Sequence, residues 1–417
     1  MTDALQPPPK KNPQTRTVSP TRPPERRSRA TLGLSAAAAE GRFALQVCAD
    51  CQTVQYPPRD ACRSCLSPDL PWRDVSPDGA LLAETTVRTS PNLYFRERAP
   101  WRTGLVRLDA GPVVICHVHG DCAPRGPVRL WNLLDRAGQA VLLAVPQERM
   151  PRMEDDPQLR QMTSDPKHRR VLITDARHPA VPALIKALKA AGAVEIYVGE
   201  PETWRPSPGR AALAEMGVDL QPLDVTDTGS VQRLAAEYGG KTDILINTAR
   251  FLRPGGVLAR GDTAFARDEI EVNYLGLMRL AQAFGPAMCA RTADGVNSAV
   301  AWVNILSADA LSNAPDYGCF GASNAAALAL SQSLRAEFRG AGLRVMNVLT
   351  GPTDDAWYQP LPPPKVGPAA LARAIVDGLQ RGLEDVCCGD VARDMHERFR
   401  RDPKVLECER TMAGDQP

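Results

Sequence analysis

Apolar segments that alternate with amphipathic helices constrain the fold of this chain more than any other feature. Five such segments follow Arg170, at residues 171–174, 194–199, 243–247, 301–307 and 344–350. Residues 182–193, between the first two segments, have helical periodicity and stop near Gly192. Buried strands joined by helices are typical of a parallel sheet that is covered on both faces. We therefore predict an α/β domain with a Rossmann-like, doubly wound parallel sheet over residues 170–417.

Four of the eleven cysteines form two C-x2-C pairs, a spacing that places four thiolates around one tetrahedral metal ion. The four are Cys48, Cys51, Cys62 and Cys65. We expect zinc here; a rubredoxin-type iron site uses similar pairs and is the alternative. Because four thiolates leave no open coordination position, the zinc would be structural. It would stabilise a small four-cysteine zinc ribbon, preceded by a short helix, within residues 31–69.

Residues 70–148 have the pattern of a small β-barrel. Segments that alternate or run apolar are separated by Gly, Asp and Pro, at residues 79–87, 103–109, 111–120 and 139–146. Several short strands at this spacing predict a barrel. His117 and His119 share one face of a predicted strand. They could hold a second metal, but we expect them to face solvent on the barrel wall.

Two further segments lie outside the predicted domains. Residues 1–30 contain seven prolines, seven Lys or Arg and two Asp or Glu, which predicts a disordered basic tail. A solvated extension is the simpler interpretation of this tail, and a docking segment is the alternative. Residues 149–169 are polar and interrupted by proline, which predicts an interdomain linker.

Composition argues against two classes of partner. The formal net charge is only +2, so we expect no nucleic-acid partner. No apolar run approaches the roughly 20 residues that cross a bilayer, so we expect no membrane partner. The first 30 residues lack the apolar core of a secretory signal. Eleven cysteines without such a signal suit a reducing, cytoplasmic location.

Residues 43–148 resemble the zinc-ribbon/OB-fold family of acyl-CoA-associated proteins, which accompany thiolases. The cysteine pairs, the V-Q-Y-P-P turn at residues 54–58 and the Y-F-R-E-R-A-P-W segment at residues 94–101 carry the resemblance. It implies an OB-fold barrel over residues 70–148. It also implies a binding role, with a thiolase- or aldolase-type enzyme as the partner and acyl-CoA as the substrate that is handled.

Residues 170–405 resemble the short-chain dehydrogenase/reductase family, whose landmarks occur in order. They are Asp224-Val225-Thr226-Asp227 on the adenine side, Asn247-Thr248-Ala249-Arg250 in place of N-N-A-G, Asn273, Ser307, and Thr350-Gly351-Pro352. The resemblance implies that Asn273 matches the asparagine of the proton relay and Ser307 the catalytic serine. The family's terminal segments often form subunit contacts, so it also implies a homo-oligomer through this domain.

The active-site helix departs from the family motif Y-x-A-S-K. Phe320 and Asn324 stand where the family has its tyrosine and lysine. Phenylalanine has no proton to transfer, and general acid–base help is typically worth about 10²–10⁴ in rate. Asparagine has no charge to lower the pKa of a phenol. Tyr317 lies three residues upstream and is the alternative acid, although we expect it to cap or pack.

The phosphate-binding loop departs as well. Residues 174–181 read T-D-A-R-H-P-A-V where the family has T-G-x-x-x-G-x-G. Asp175 adds negative charge beside the expected diphosphate, Pro179 removes an N–H, and Val181 fills space that glycine leaves open. Arg250 also replaces the glycine that lies against the cofactor.

These losses predict a pseudoenzyme with no catalytic and no cofactor-binding residues, and no bound NAD(P). Asn273 and Ser307 would then be remnants. We expect an accessory or scaffold subunit in acyl-CoA metabolism. The alternative is an NAD(P)-dependent oxidoreductase acting on an acyl-CoA-linked ketone or alcohol. A third interpretation is another type of enzyme that uses Asp175, Arg177 and His178.

Overall fold

The computed structural model describes residues 1–9, 20–25, 27–201, 209–292 and 298–412. The chain forms two compact units, built mainly from Pro20–Asp165 and from Pro166–Leu379 with Asp385–Pro417. Within the described residues, no helix is both long and apolar enough to cross a membrane.

The first unit begins with a helix and a three-stranded ribbon. Helix α1 is Leu32–Ala39, and the strands are β1 Ala44–Val47, β2 Val54–Gln55 and β3 Trp72–Asp74. β1 lies in the centre and pairs antiparallel with both neighbours. Asn132 of the following barrel donates from its side-chain amide to the carbonyl of Leu34, 3.0 Å away, and so anchors α1.

The predicted barrel is present and closed. Its strands are β4 Asp78–Val87, β5 Trp101–Leu108, β6 Val113–Val118, β7 Pro127–Leu134 and β8 Ala140–Pro146, with helix α2 at Leu93–Glu97. The order around the barrel is β4-β5-β6-β8-β7, and β6 and β8 are the parallel pair. Alternate side chains, such as Val106 and Leu108, point into the apolar core.

The structure differs from the sequence-based expectation at two places in this unit. His119 follows β6 and is fully buried rather than solvent-facing, with its Nε2 atom 2.8 Å from the carbonyl oxygen of Met153, whereas His117 on β6 is half-buried. The predicted linker contains a 3-10 turn at Met153–Asp155 and helix α3 at Pro157–Gln161. Met153 and Leu159 are buried against the barrel, so packed structure extends through much of this segment.

The tail at residues 1–30 has no helix or strand in its described part before Arg29, where a 3-10 turn begins. Residues 10–19 and residue 26 lie outside the described residues. The Leu5 amide donates to the Asp155 carboxylate over 3.1 Å, so part of the tail has an ordered contact.

The second unit contains a seven-stranded parallel sheet in the order β11-β10-β9-β12-β13-β14-β15. The strands are β9 Arg170–Ile173, β10 Glu195–Glu200, β11 Asp219–Pro222, β12 Ile244–Asn247, β13 Ala301–Ser307, β14 Arg344–Thr350 and β15 Asp385–Cys388. Val171 and Ile173 pack on one face of the sheet and Leu172 on the other, as a doubly wound sheet requires. The strand order reverses between β9 and β12, which places a cleft at their carboxyl ends.

Helices cover both faces of this sheet. They are α4 Val181–Ala190, α5 Arg210–Glu215, α6 Thr228–Tyr238, α7 Ala264–Ile270, α8 Leu277–Ala290, α9 Gly318–Arg339, α10 Pro368–Arg381, α11 Asp390–Arg401 and α12 Pro403–Met412. A π-helical turn at Glu271–Gly276 joins α7 to α8.

Candidate functional site

The four ribbon cysteines form one cluster. Their sulfur atoms all lie within 4.8 Å of one another, and the closest pairs are 3.5 Å apart. Tetrahedral zinc with Zn–S bonds of about 2.3 Å needs sulfurs roughly 3.8 Å apart, so these cysteines fit a zinc ion.

The two cysteine pairs have matching backbone geometry. Gln52 donates to the Cys48 carbonyl and Leu66 to the Cys62 carbonyl, each over 3.0 Å. Both donors follow the second cysteine of a pair and have positive φ, at 58° and 64°. The repeated turn aims each pair of thiols at the same point. Hydrogen bonds to Thr53 lower the pKa of the Cys51 thiol to about 6, whereas the neighbouring thiols raise that of Cys65 to about 12.

The second candidate site is the cleft at the carboxyl ends of β9, β12, β13 and β14. Thr174 Oγ1 donates to Asn247 Oδ1 over 2.9 Å, and the Asp175 amide donates to Thr248 Oγ1 over 2.9 Å. These bonds join the loop after β9 to the loop after β12.

The loop before α4 is filled by its own side chains. Asp175 accepts hydrogen bonds from the amide and guanidinium of Arg177, at 2.9 and 2.8 Å. Val181 is fully buried in the core. His178 is also buried, and its Nδ1 atom accepts from the Ala180 amide over 3.2 Å. Burial lowers the pKa of His178 to about 3, so the imidazole is neutral at physiological pH.

Arg250 spans the cleft from β12 to the segment after β14. Its guanidinium donates to Thr353 Oγ1 over 3.0 Å and to Asp355 Oδ2 over 2.7 Å, and lies 5.9 Å from the centre of the Tyr358 ring. Burial alone would raise the pKa of Asp355, but the charge and hydrogen bond of Arg250 lower it below its usual value. An ion pair therefore occupies the side of the cleft where the family's glycine would leave space.

Ser307 ends β13 as predicted, but its hydroxyl is engaged. It donates to Asp309 Oδ2 over 2.9 Å and accepts from the Asp309 amide over 3.1 Å. Arg410, on α12, donates to the other oxygen of the same carboxylate. The Ser307 amide donates to Asn324 Oδ1 over 2.9 Å, so Asn324 holds the strand end to α9.

Phe320 packs in a small apolar cluster with Leu252, Tyr317 and Tyr358. The rings of Tyr317 and Tyr358 are 5.5 Å apart, and burial raises the pKa of Tyr317. Among the described residues, no hydrogen bond joins Tyr317 to Ser307 or Asn324. Tyr317 thus packs against Tyr358 just before α9.

Asn273 lies in the π-helical turn and braces the loop after β12. Its Oδ1 accepts from the Phe251 amide, and its Nδ2 donates to the Phe251 carbonyl and to Ser323 Oγ, each over 2.9 Å. All of its side-chain polar atoms are therefore used within the fold.

Sequence reasoning missed the acidic partners of the cleft. Asp309 and Asp355 lie 101 and 105 residues from the arginines that they bind, Arg410 and Arg250. Buried Glu200, at the end of β10, was also missed; it pairs with Arg210. An unexplained arginine in a nucleotide loop signals that an acid must lie nearby, but not where that acid is in the sequence.

The folds of the two units and their sites define a zinc ribbon and OB-fold barrel joined to a dehydrogenase-type Rossmann domain. Family models match in the same order. Residues 35–71 match the ChsH2 rubredoxin-like zinc ribbon domain, residues 72–133 the ChsH2 C-terminal OB-fold domain, and residues 183–379 a model described as Enoyl-(Acyl carrier protein) reductase. The chain is a fusion of ChsH2-type zinc-ribbon and OB-fold domains with a short-chain dehydrogenase/reductase domain. The zinc-ribbon match favours zinc over a rubredoxin-type iron.

Individual relatives support the identification of the second unit. The short-chain dehydrogenase ptmH of Penicillium ochrochloron is 32% identical over 147 residues, which is 34% of this chain and 50% of that protein. The uncharacterized oxidoreductase SA2266 of Staphylococcus aureus strain N315 is 29% identical over 177 residues, 40% of this chain and 72% of that protein. The chain thus spans about half the length of the first of these relatives.

A solved structure supports the same fold. The short-chain dehydrogenase of Burkholderia cenocepacia J2315, crystallised in complex with NADP, is 29% identical, with a TM-score of 0.52. The match covers 60% of this chain and 98% of that chain.

Proposed function

We propose that this protein is a non-catalytic accessory subunit in acyl-CoA metabolism. The ribbon and barrel would bind a thiolase- or aldolase-type enzyme and help to handle its acyl-CoA substrate. The dehydrogenase-like domain would provide structure and subunit contacts without binding NAD(P). The observation that carries the proposal is the Arg250–Asp355 ion pair in the cofactor cleft.

Three contacts support the loss of cofactor binding. A nicotinamide would have to displace Arg250 from Asp355, and breaking a buried pair is typically costly, about 3–5 kcal/mol. The loop before α4 has Val181 in the core where close approach to a diphosphate requires glycine. The carboxylate of Asp175 also lies in this loop, where its negative charge would repel a diphosphate.

Loss of the reaction has its own support. Phe320 offers no proton, Ser307 is held by Asp309, and Asn324 makes a hydrogen bond that orders the strand end. The zinc cluster, by contrast, keeps all four ligands in place. Because of this contrast, we assign the protein's binding function to the ribbon and barrel.

Titration with NADH and NADPH, followed by nucleotide fluorescence, tests the proposed absence of a cofactor. We expect no saturable binding up to millimolar nucleotide. The matched variant Arg250→Gly should also fail to bind, because Val181 and Pro179 remain. Micromolar binding by the unaltered chain would overturn this part of the proposal.

The proposed partner is tested by co-expression with a thiolase-type enzyme from the same source. We expect a complex that withstands gel filtration. The cysteine variant Cys48→Ser should lose it, whereas Arg250→Gly should keep it, because that residue lies in the other unit. A complex that survives ribbon disruption would contradict the assignment of partner binding to the ribbon and barrel.

The alternative is an NAD(P)-dependent oxidoreductase for an acyl-CoA-linked ketone or alcohol, with Tyr317 as the acid. One observation favours it: the Burkholderia relative was crystallised with NADP. Turnover that depends on nucleotide and is abolished by Tyr317→Phe would support this alternative.

A further inference from the structure

Arg253 is held among three aromatic rings on the loop that follows Arg250. Its guanidinium carbon lies 4.6 Å from the centre of the Trp357 ring, 5.3 Å from that of Phe265 and 5.8 Å from that of Phe251. These rings belong to three segments: the loop after β12, helix α7, and the 3-10 turn after β14. The arginine therefore joins separate parts of the same unit.

The backbone of Arg253 is fixed as well. Its amide donates to Glu269 Oε1 over 3.0 Å, and its carbonyl accepts from Arg260. Arg260 also forms an ion pair with the buried Glu269 carboxylate, at 2.9 Å. Arg260 thus balances the charge of Glu269, and the guanidinium of Arg253 takes no part in that ion pair. Its position is set before any ligand arrives.

No acid in the described part of the chain neutralises this guanidinium. Among the described residues, Arg253 has no ion pair and no side-chain hydrogen bond, and its Nε atom is buried without a partner. The three rings offer the guanidinium no oxygen acceptor, so its N–H donors remain for recognition. These donors form a planar set, which suits a phosphate or carboxylate.

Apolar side chains that reach solvent lie along the same segments. Trp357 is 39% exposed, Phe265 45%, Ile270 46% and Val257 65%. Because Trp357 and Phe265 both reach solvent, and the centres of both rings lie within 5.3 Å of the guanidinium carbon, a ligand in solution can contact the rings and the cation together. A ligand that fits must combine an anionic group with a flat or apolar body.

We propose that Arg253, Trp357 and Phe265 form a binding site for a phosphate-bearing acyl carrier of the coenzyme A type. Arg253 contacts a phosphate oxygen, and the exposed rings pack against the adenine or the acyl chain. This inference rests on the proposed handling of acyl-CoA and assigns part of it to the dehydrogenase-like domain. The site requires neither the closed cofactor cleft nor its lost catalytic residues.

Isothermal titration of the full chain with octanoyl-CoA tests the site. We expect Arg253→Gln to weaken binding at least tenfold. Arg253→Lys should weaken it less, because lysine keeps the charge but lacks the planar fork. Arg267→Gln, an exposed arginine on α7, is the matched control and should bind like the unaltered chain. Thermal melts check that each variant is folded. If Arg253→Gln does not fold, the folded Arg253→Lys variant still tests the site.

Tryptophan fluorescence reports on the site directly, with Trp357→Phe as the reference for the other five tryptophans. Octanoyl-pantetheine, which lacks the nucleotide phosphates, should not change the Trp357 signal as octanoyl-CoA does. Equal octanoyl-CoA affinity in the unaltered chain and Arg253→Gln would overturn this inference but leave acyl-CoA handling intact.

Inorganic phosphate separates the two proposals. If octanoyl-CoA does not bind but phosphate changes the Trp357 signal only when Arg253 is present, the anion site stands and the acyl-CoA role fails. If neither probe binds, the inference is wrong.

Discussion

The zinc cluster and the old cofactor cleft differ in how their polar groups are arranged. In the ribbon, four like groups converge, and thiolates brought so close together would repel one another without a cation. In the cleft, opposite charges are already paired, as in Arg250–Asp355 and Arg410–Asp309. The cysteine cluster needs a cation to balance its charge, whereas the charged groups of the cleft balance one another. Local charge balance therefore distinguishes these two sites, which fold similarity alone does not.

Removal of the metal should have the largest effect on stability. A small effect would contradict the contrast between the zinc cluster and the cleft. A structural zinc contributes about 10–16 kcal/mol of apparent binding free energy in small zinc domains. We expect Cys62→Ser, or chelation, to unfold residues 43–74. Hydrogen exchange should show this loss while β9–β14 stay protected. Cys408→Ser, an exposed cysteine on α12, is the control and should keep one zinc per chain.

His178, which is buried, and His117, which is half-buried, sharpen the comparison through pH. Burial lowers the pKa of His178 to about 3 and that of His117 to about 4, against about 6.5 when unfolded. The unfolded chain binds the proton first, so the stability from His178 is present above pH 6.5 and is lost as pH falls towards 3. Below pH 3 this loss reaches about 5 kcal/mol in the dehydrogenase-like domain, of which about 3.5 kcal/mol has occurred by pH 4.

Urea unfolding at pH 7 and pH 4 measures that loss. His178→Asn should flatten the pH dependence of the dehydrogenase-like domain, where Arg250 and Asp355 also act on this imidazole. His117→Asn should do the same for the barrel alone. An unchanged slope in His178→Asn would contradict a buried neutral imidazole.

The ion pair in the cleft should give a smaller effect. Asp355→Ala leaves the mostly buried Arg250 without its partner, and we expect a loss of about 3 kcal/mol in the free energy of unfolding. Asp227→Ala is the matched control, since its pairing with Arg233 is exposed and worth at most about 1 kcal/mol. Because Asp227 also caps α6, Asp227→Ala removes that cap as well as the ion pair. Arg233→Ala removes only the exposed pair and should be measured beside it. Equal effects of Asp355→Ala and Arg233→Ala would mean that the cleft is open to water.

Restoring the missing catalytic side chains should have the smallest effect on binding. The double variant Phe320→Tyr with Asn324→Lys rebuilds the family motif on α9. We expect no measurable NADH binding, because the loop at residues 174–181 and Arg250 are unchanged. Nucleotide fluorescence measures this binding. Saturable binding would contradict the filling of the cleft and would leave the catalytic side chains as the only loss.

The fold was readable from the sequence because its signals are local. The cysteine spacing, the alternating barrel segments and the buried strands each lie within a few residues of the structure that they predict. Ser307 at the end of β13 was located in this way.

The filling of the cleft could not be predicted from the sequence, because it depends on residue pairs that are far apart in the chain. Arg250 could be recognised as misplaced, but Asp355 could not be named as its partner. The burial of His119 and of Met153 depends on how α3 packs against the barrel, which composition alone did not reveal. Polar, proline-containing segments can pack when a few apolar residues are spaced to meet a surface.

The Arg250–Asp355 pair also bears on how this domain can change over evolutionary time. Replacing either residue alone strands the other as an uncompensated charge, so each single step towards an open cofactor cleft is disfavoured. Under the proposed loss of NAD(P) binding, reopening the cleft would need both substitutions together, followed by changes in the loop before α4. The pair therefore makes recovery of a nucleotide site by single substitutions unfavourable.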